Sequence, residues 1–141
     1  MKKNSKTQSL RVVNPNAAGI DVGSRVHYVA VPDDRGGRTV ESFGCVTAEL
    51  ERMARWLLAC GVDTVAMEST GVYSSSVAAV LEDHGLKVIE VDPRQVRSAK
   101  GRKTDVQDSV WIQQLHSFGL LSASFRLDRE AQPIRDYWRM R

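Results

Sequence analysis

The order of strand-like and helix-like segments constrains the fold of this chain more than any other feature of its sequence. Three strand-like runs follow one another closely at residues 17–22, 26–31 and 38–46, and the turn residues Asp-Asp-Arg-Gly-Gly at 33–37 separate the second run from the third. Runs this close together pair as antiparallel hairpins. The first part of the sequence therefore predicts three antiparallel strands.

The segments that follow alternate between helix and strand. One helix is predicted after Thr47, a candidate N-cap residue, and a second helix ends at Gly85. Short strands are predicted at residues 63–68 and 87–91. Because each of these strands follows a helix, it must join the sheet through a parallel crossover connection. The whole pattern predicts an α/β fold with a mixed sheet of about five strands flanked by helices.

The length of 141 residues is enough for one self-sufficient core and too short for two full domains. We predict a flexible basic arm at residues 1–15, one α/β domain at residues 16–119 and the start of a helical connector at residues 120–141. Since the chain has neither a run of about 18 apolar residues nor a secretory signal, we expect a cytoplasmic protein that does not contact membranes. Cys45 and Cys60 are expected to be reduced thiols.

Charge is distributed unevenly along the chain. The net charge is +3, but residues 1–13 are basic, the segment up to residue 86 is acidic and the remainder is basic again. This distribution is typical of a protein that binds a polyanion, and also of an unevenly charged solvated surface. A cluster of cations after Pro93 offers candidate contacts for nucleic-acid phosphates, or else forms a solvated loop. Its members are Arg94, Arg97, Lys100, Arg102 and Lys103.

Four carboxylates occupy positions that are unusual for solvated acids. Asp21 lies in a strand whose other residues are apolar or glycine, and Glu68 ends the fourth strand, at the edge where ligands bind in open α/β sheets. Asp105 and Asp108 begin the helix predicted from about residue 104 to 118, and their spacing of three puts both on the side that faces the sheet. Considered one at a time, an acid in the first turn of a helix is explained by the helix dipole, and an acid at a strand end by surface exposure.

Together, these four acids predict a metal site. Converging negative charges are unstable unless hard divalent cations neutralise them, and Mg²⁺ or Mn²⁺ is the natural occupant. Two such ions activate a nucleophilic oxygen and stabilise the leaving oxygen of a phosphodiester. We therefore predict catalytic and metal-binding roles for Asp21, Glu68, Asp105 and Asp108.

The element order, with an Asp in the first strand and a Glu after the fourth, resembles the ribonuclease H-like fold, which includes the RuvC-type Holliday junction resolvases. Three local strings are more specific: Gly-Ile-Asp-Val at 19–22, Glu-Ser-Thr-Gly-Val-Tyr at 68–73 and Gly-Arg-Lys-Thr-Asp-Val-Gln-Asp at 101–108. They resemble the DEDD transposases of the insertion sequence 110 family. The strings at 111–116 and 119–121 are similar to its insertion sequence 1111 subgroup.

The resemblance assigns metal binding to the same four acids and implies cleavage and joining of DNA during excision and insertion of a mobile element. It further implies an element-encoded structured guide RNA and a homo-oligomer, either a dimer or a tetramer. Family members carry a second domain with a nucleophilic serine, which this sequence lacks, so we expect the chain alone to be inactive in recombination. Two departures from the family pattern are minor: Asp92 replaces Asn, and Ser109 replaces Ala.

Two other interpretations stay open at this point. The string Asp-Val-Gly-Ser at 21–24 resembles the phosphate-binding turn of actin-like and sugar-kinase ATPases, although no second Asp-x-Gly turn occurs. A non-catalytic nucleic-acid-binding remnant or regulator is the other alternative. Several aromatic residues either pack in the core or connector or contact bases or a partner. They are Tyr73, Trp111, Tyr137 and Trp138.

Overall fold

Five strands form one sheet at the centre of the computed structural model, which describes residues 11–68, 72–98 and 108–123. Four helices accompany the sheet within these ranges. The strands are β1 (Ala17–Asp21), β2 (Val26–Ala30), β3 (Val40–Gly44), β4 (Thr64–Glu68) and β5 (Lys87–Val91). The helices are α1 (Thr47–Ala59), α2 (Val72–Asp83), α3 (Pro93–Ser98) and α4 (Asp108–Ser117).

The strand order in the sheet is β3-β2-β1-β4-β5. β2 pairs antiparallel with both β1 and β3, whereas β4 pairs parallel with both β1 and β5. The predicted hairpins and parallel crossovers are therefore confirmed. This order and these directions confirm the predicted mixed sheet of five strands flanked by helices.

The two faces of the sheet are covered by different helices. Ala18 and Ile20 of β1 are fully buried on the face covered by α1 and α2, in the larger core of the protein. On the opposite face, α4 packs against β1 and contributes Ile112 and Leu115 to a smaller core. The predicted inward orientation of Ile112 and Leu115 is confirmed. Since side chains alternate along a strand, Gly19 and Asp21 belong to the α4 face.

Helix α4 lies directly against the backbone of β1 at Gly19. A Cβ atom on Gly19 would lie 2.3 Å from the backbone nitrogen of Gln113 and 2.6 Å from the carbonyl oxygen of Ser109. The side-chain Nε2 of Gln113 also donates a hydrogen bond to the carbonyl oxygen of Ala17, at 3.1 Å. Only a residue without a side chain permits this approach. The position of α4 therefore depends on Gly19.

The segment before β1 is attached to the last turn of α4. The backbone N–H groups of Val13 and Asn14 both donate to the carbonyl oxygen of Ser117, at 2.8 and 3.0 Å. The side-chain amide of Asn14 donates to the carbonyl oxygen of His116 at 2.8 Å. Of the arm predicted over residues 1–15, residues 1–10 lie outside the described residues, while its end contacts α4.

The predicted cap of α1 is wrong in detail. The N-cap residue is Val46, and no side chain caps the helix. Glu49 instead accepts a hydrogen bond from the Gly44 N–H at 3.0 Å and pairs with Arg52. Hydrogen bonds from Arg52 and then Gly44 lower the pKa of Glu49 to about 2. The helix start is therefore tied to β3 by a carboxylate in its first turn.

Two predicted features extend beyond the described residues, at the start of α4 and after residue 123. Helix α4 is described from Asp108, so the predicted helix start near residue 104 lies outside the described residues, as does the connector from residue 124 onward. Cys45 and Cys60 are both free and half-buried. Within the described ranges, no helix combines the length and the apolar character needed to cross a membrane.

The close contact at Gly19 predicts a large effect of a single methyl group. We expect Gly19→Ala to lower the free energy of unfolding by about 3 kcal/mol, the upper end of overpacking costs, because the obstructing atoms are backbone atoms. Urea unfolding measures this change. Gly37→Ala is the matched control, since a Cβ at Gly37 meets no atom within 4 Å. Equal stability of the two variants would contradict the proposed role of Gly19.

Candidate active site

Two predicted carboxylates lie side by side at the carboxyl edge of the sheet. Asp21 ends β1 and Glu68 ends β4. The two strands are parallel neighbours, and Ile20 pairs with Met67 immediately before the two acids. Because both strands run in the same direction and their side chains alternate in step, Asp21 and Glu68 point to the α4 face. Both are half-buried.

Asp108 approaches the same point from α4. It is the first described residue of that helix, which crosses β1 at Gly19. Burial raises the pKa of Asp21, and the negative charge of Asp108 raises it further. The two acids are thus close enough for their charges to repel each other. The contact between α4 and β1 is what brings them together.

The structure assembles part of the predicted metal-binding set. It brings Asp21 and Asp108 together and places Glu68 on the neighbouring strand end, whereas Asp105 lies outside the described residues. In the described part of the chain, no three His, Cys, Asp or Glu side chains form a group that could hold a metal ion. The donors that are present fit Mg²⁺ or Mn²⁺, which prefer carboxylate oxygens. A bound cation would offset both causes of the raised pKa of Asp21, namely its burial and the charge of Asp108.

Two of the five candidate phosphate-binding cations belong to α3, which follows β5 at the same edge of the sheet. Arg94 forms an ion pair with Asp92 at 2.8 Å. Hydrogen bonds from the Arg94 side chain and backbone lower the pKa of Asp92 to about 2. Arg97 is exposed and forms no ion pair within the described ranges. The remaining three candidates, Lys100, Arg102 and Lys103, lie outside the described residues.

The turn after Asp21 is held by a buried imidazole that sequence reasoning missed. The backbone N–H of Gly23 donates to Nδ1 of His27 at 3.1 Å, and Cys45 Sγ lies 3.3 Å from Nε2 of the same ring. Burial lowers the pKa of His27, which favours the neutral ring that this arrangement needs. Because the Gly23 N–H is already occupied, the turn offers a phosphate one donor fewer. This observation weakens the ATPase interpretation.

Tyr28 is a second neighbour of the site that sequence reasoning missed. It is the direct partner of Asp21 in the antiparallel pairing of β1 and β2. Partners of this kind place their side chains on the same face of the sheet. The sequence predicted the hairpin but not its register, and only the register reveals that Tyr28 stands beside Asp21.

A family model of DEDD transposases of the insertion sequence 110 type, described as Transposase, matches residues 18–141. No curated protein matches the chain. The structure is similar to that of RuvC from Thermus thermophilus, with 19% identity, a TM-score of 0.45 and coverage of 78% of this chain and 84% of that chain. A fowlpox virus resolvase in complex with Holliday junction DNA is similar at 19% identity, with a TM-score of 0.42 and coverage of 62% and 64%.

The electrostatics of Asp21 predict a pH-dependent difference between two variants. A carboxylate whose pKa is raised by folding destabilises the folded protein where it is ionised, and this penalty disappears as the pH falls through its pKa. In a chelator at pH 7, Asp21→Asn should therefore raise Tm slightly, and the difference from the wild type should shrink toward pH 4. Thermal unfolding across this pH range measures the difference.

The control for this prediction is Asp33→Asn, which removes an equal charge from an exposed turn. It should leave the pH dependence of Tm close to that of the wild type. The same dependence in both variants would mean that general charge removal, and not the environment of Asp21, determines the effect.

Proposed function

The chain belongs to the family of DEDD transposases, and we propose that Asp21, Glu68, Asp105 and Asp108 hold divalent metal for DNA strand cleavage and transfer. The observation that carries the proposal is the approach of Asp108 to Asp21 beside the end of β4. Glu68 supports the proposal because it ends the strand that pairs in parallel with the strand of Asp21. Asp105 precedes Asp108 by three residues and completes the proposed set.

The proposed metal is Mg²⁺ or Mn²⁺, because both take oxygen ligands of this kind. Bound metal would activate the attacking oxygen and stabilise the leaving oxygen of a phosphodiester. The protein's own contribution is positional. β1 and β4 hold Asp21 and Glu68 at fixed separation on rigid strands, and the contact at Gly19 sets the distance of Asp108 from them.

The proposed substrate is the DNA of a mobile element, and the proposed guide is an RNA encoded by that element. Arg97 supports a polyanion as partner, since an exposed cation at the same sheet edge attracts phosphates without first breaking an ion pair. Assembly into a dimer or tetramer belongs to the same proposal and rests on the family resemblance. A non-catalytic nucleic-acid binder would retain the cationic contacts and lack the metal site.

Metal binding by the carboxylates predicts a stabilisation that depends on Asp21. At about 10 mM Mg²⁺ or Mn²⁺, a site with a Kd of about 1 mM adds roughly 1.4 kcal/mol to the free energy of unfolding. We expect this increase in the wild type and not in Asp21→Asn, because the variant loses one ligand and one negative charge. Thermal unfolding with and without metal, and with and without DNA, measures it.

Asp33→Asn again serves as the control and should keep the full metal response. A wild-type protein that shows no metal response, either alone or with DNA, would overturn the proposed metal site. A response of equal size in wild type and Asp21→Asn would assign the metal to other residues. Either outcome would favour the non-catalytic interpretation.

The two arginines of α3 should contribute unequally to DNA binding. Arg97→Ala is expected to weaken binding and to reduce the slope of log K against log salt by about 1, the effect of losing one phosphate contact. Arg94→Ala should have a smaller effect, because its guanidinium is paired with Asp92. Fluorescence anisotropy over a salt series measures both slopes. Equal slopes in wild type and Arg97→Ala would remove Arg97 from the proposed interface.

A further inference from the structure

The exposed face of β2 begins beside the proposed metal site. On the side of β2 that faces α4, Ala30 is 2% exposed, whereas Tyr28 is 41% and Val26 is 38% exposed. Ala30 pairs with Gly19, where α4 touches β1, and Tyr28 pairs with Asp21. Helix α4 therefore covers the pair Ala30 and Gly19 and no longer covers the pair Tyr28 and Asp21. Tyr28 is the first large side chain beyond it.

The distance from Tyr28 to the place where a phosphate would bind is shorter than the length of one nucleotide. Directly opposed residues in an antiparallel pair have Cβ atoms about 5 Å apart. A phosphodiester held at Asp21 would carry a sugar and base on each side of it, and α4 blocks the path along β1. Toward β2 the surface is open, because Tyr28 and its β3 partner Ser42 are both exposed.

The properties of Tyr28 suit contact with a base. Its ring is half-exposed, and its hydroxyl forms no hydrogen bond within the described part of the chain. An aromatic ring next to a phosphate-binding site provides a platform on which any base stacks, because every base has a π-face. Contact through stacking requires no particular sequence.

We propose that Tyr28 is a substrate-contacting residue, whose ring stacks on a nucleobase of the DNA strand adjacent to the phosphate held by the carboxylates. The inference rests on the proposed function, because it takes the carboxylate site as the place where the DNA phosphate binds. It adds a binding residue on β2 that fixes the position of the DNA strand relative to Asp21. The DNA strand then leaves the site across β2 toward β3 and passes over Tyr28 and Ser42.

The test compares a normal oligonucleotide with one that lacks bases. Fluorescein-labelled (dT)₁₂ and a sugar–phosphate oligomer of equal length without bases are titrated with the full chain in Mg²⁺. We expect Tyr28→Ala to weaken binding of (dT)₁₂ about tenfold, the size of one base–aromatic stack, and Tyr28→Phe to bind within about twofold of the wild type. Binding of the base-free oligomer should be the same in all three proteins, which also shows that each variant is folded.

Leu58→Ala is the matched control. Leu58 is 44% exposed and lies near the end of α1, on the other face of the sheet and away from the carboxyl edge that carries Asp21. This variant should bind (dT)₁₂ like the wild type. Equal losses for Tyr28→Ala and Leu58→Ala would show a general effect of removing an exposed apolar side chain and overturn the assignment to Tyr28.

The remaining outcomes separate this inference from the proposed function. If the wild type binds (dT)₁₂ and Tyr28→Ala binds it equally well, only the inference fails. If Tyr28→Ala instead changes self-association in sedimentation while DNA binding is unchanged, Tyr28 contacts protein and the inference is overturned. If the wild type binds neither oligomer, the DNA partner in the proposed function fails together with the inference.

Discussion

The contact between α4 and β1 at Gly19 is the constraint on which the rest of the site depends. Without a side chain at this position, helix backbone and strand backbone meet directly, and the first residue of α4 arrives beside the last residue of β1. At the opposite end of the helix, Asn14 donates a hydrogen bond to the carbonyl oxygen of His116. One glycine in the central strand thereby sets how closely the helix that begins with Asp108 approaches the strand that ends with Asp21.

The charges of the structure are arranged in two different ways. Glu49 and Asp92 each pair with an arginine, and their pKa values are lowered to about 2. Asp21 has the opposite environment, because burial and the charge of Asp108 raise its pKa. Glu49 and Asp92 are therefore stabilised as carboxylates by their arginines, whereas the ionised form of Asp21 is disfavoured by its surroundings.

The candidate site is asymmetric about the end of β1. On one side, β4 brings Glu68, and the cation-bearing helix α3 follows β5 at the same edge of the sheet. On the other side, β2 brings an exposed tyrosine and a turn held by His27. In the proposed function, the first side provides metal ligands and phosphate contacts, and in the further inference the second side contacts a base of the DNA strand. Rigid strands determine the positions of the side chains on both sides of β1. The proposed reaction requires such fixed positions, because the two reacting oxygens must be held in line.

The sequence by itself determined the element order, the mixed sheet and the two strand-end acids, because hairpin spacing, helical periodicity and a charge in an apolar run are local signals. It also identified Asp108, through its helical phase with Ile112 and Leu115. It missed Tyr28 and His27, since their roles depend on strand register. It also assigned a cap to Thr47, whereas the N-cap residue is Val46 and no side chain caps the helix. Only the tertiary structure decided how near Asp108 comes to Asp21 and where the cover of α4 over the sheet ends, because both depend on how closely the backbones of α4 and β1 approach at Gly19.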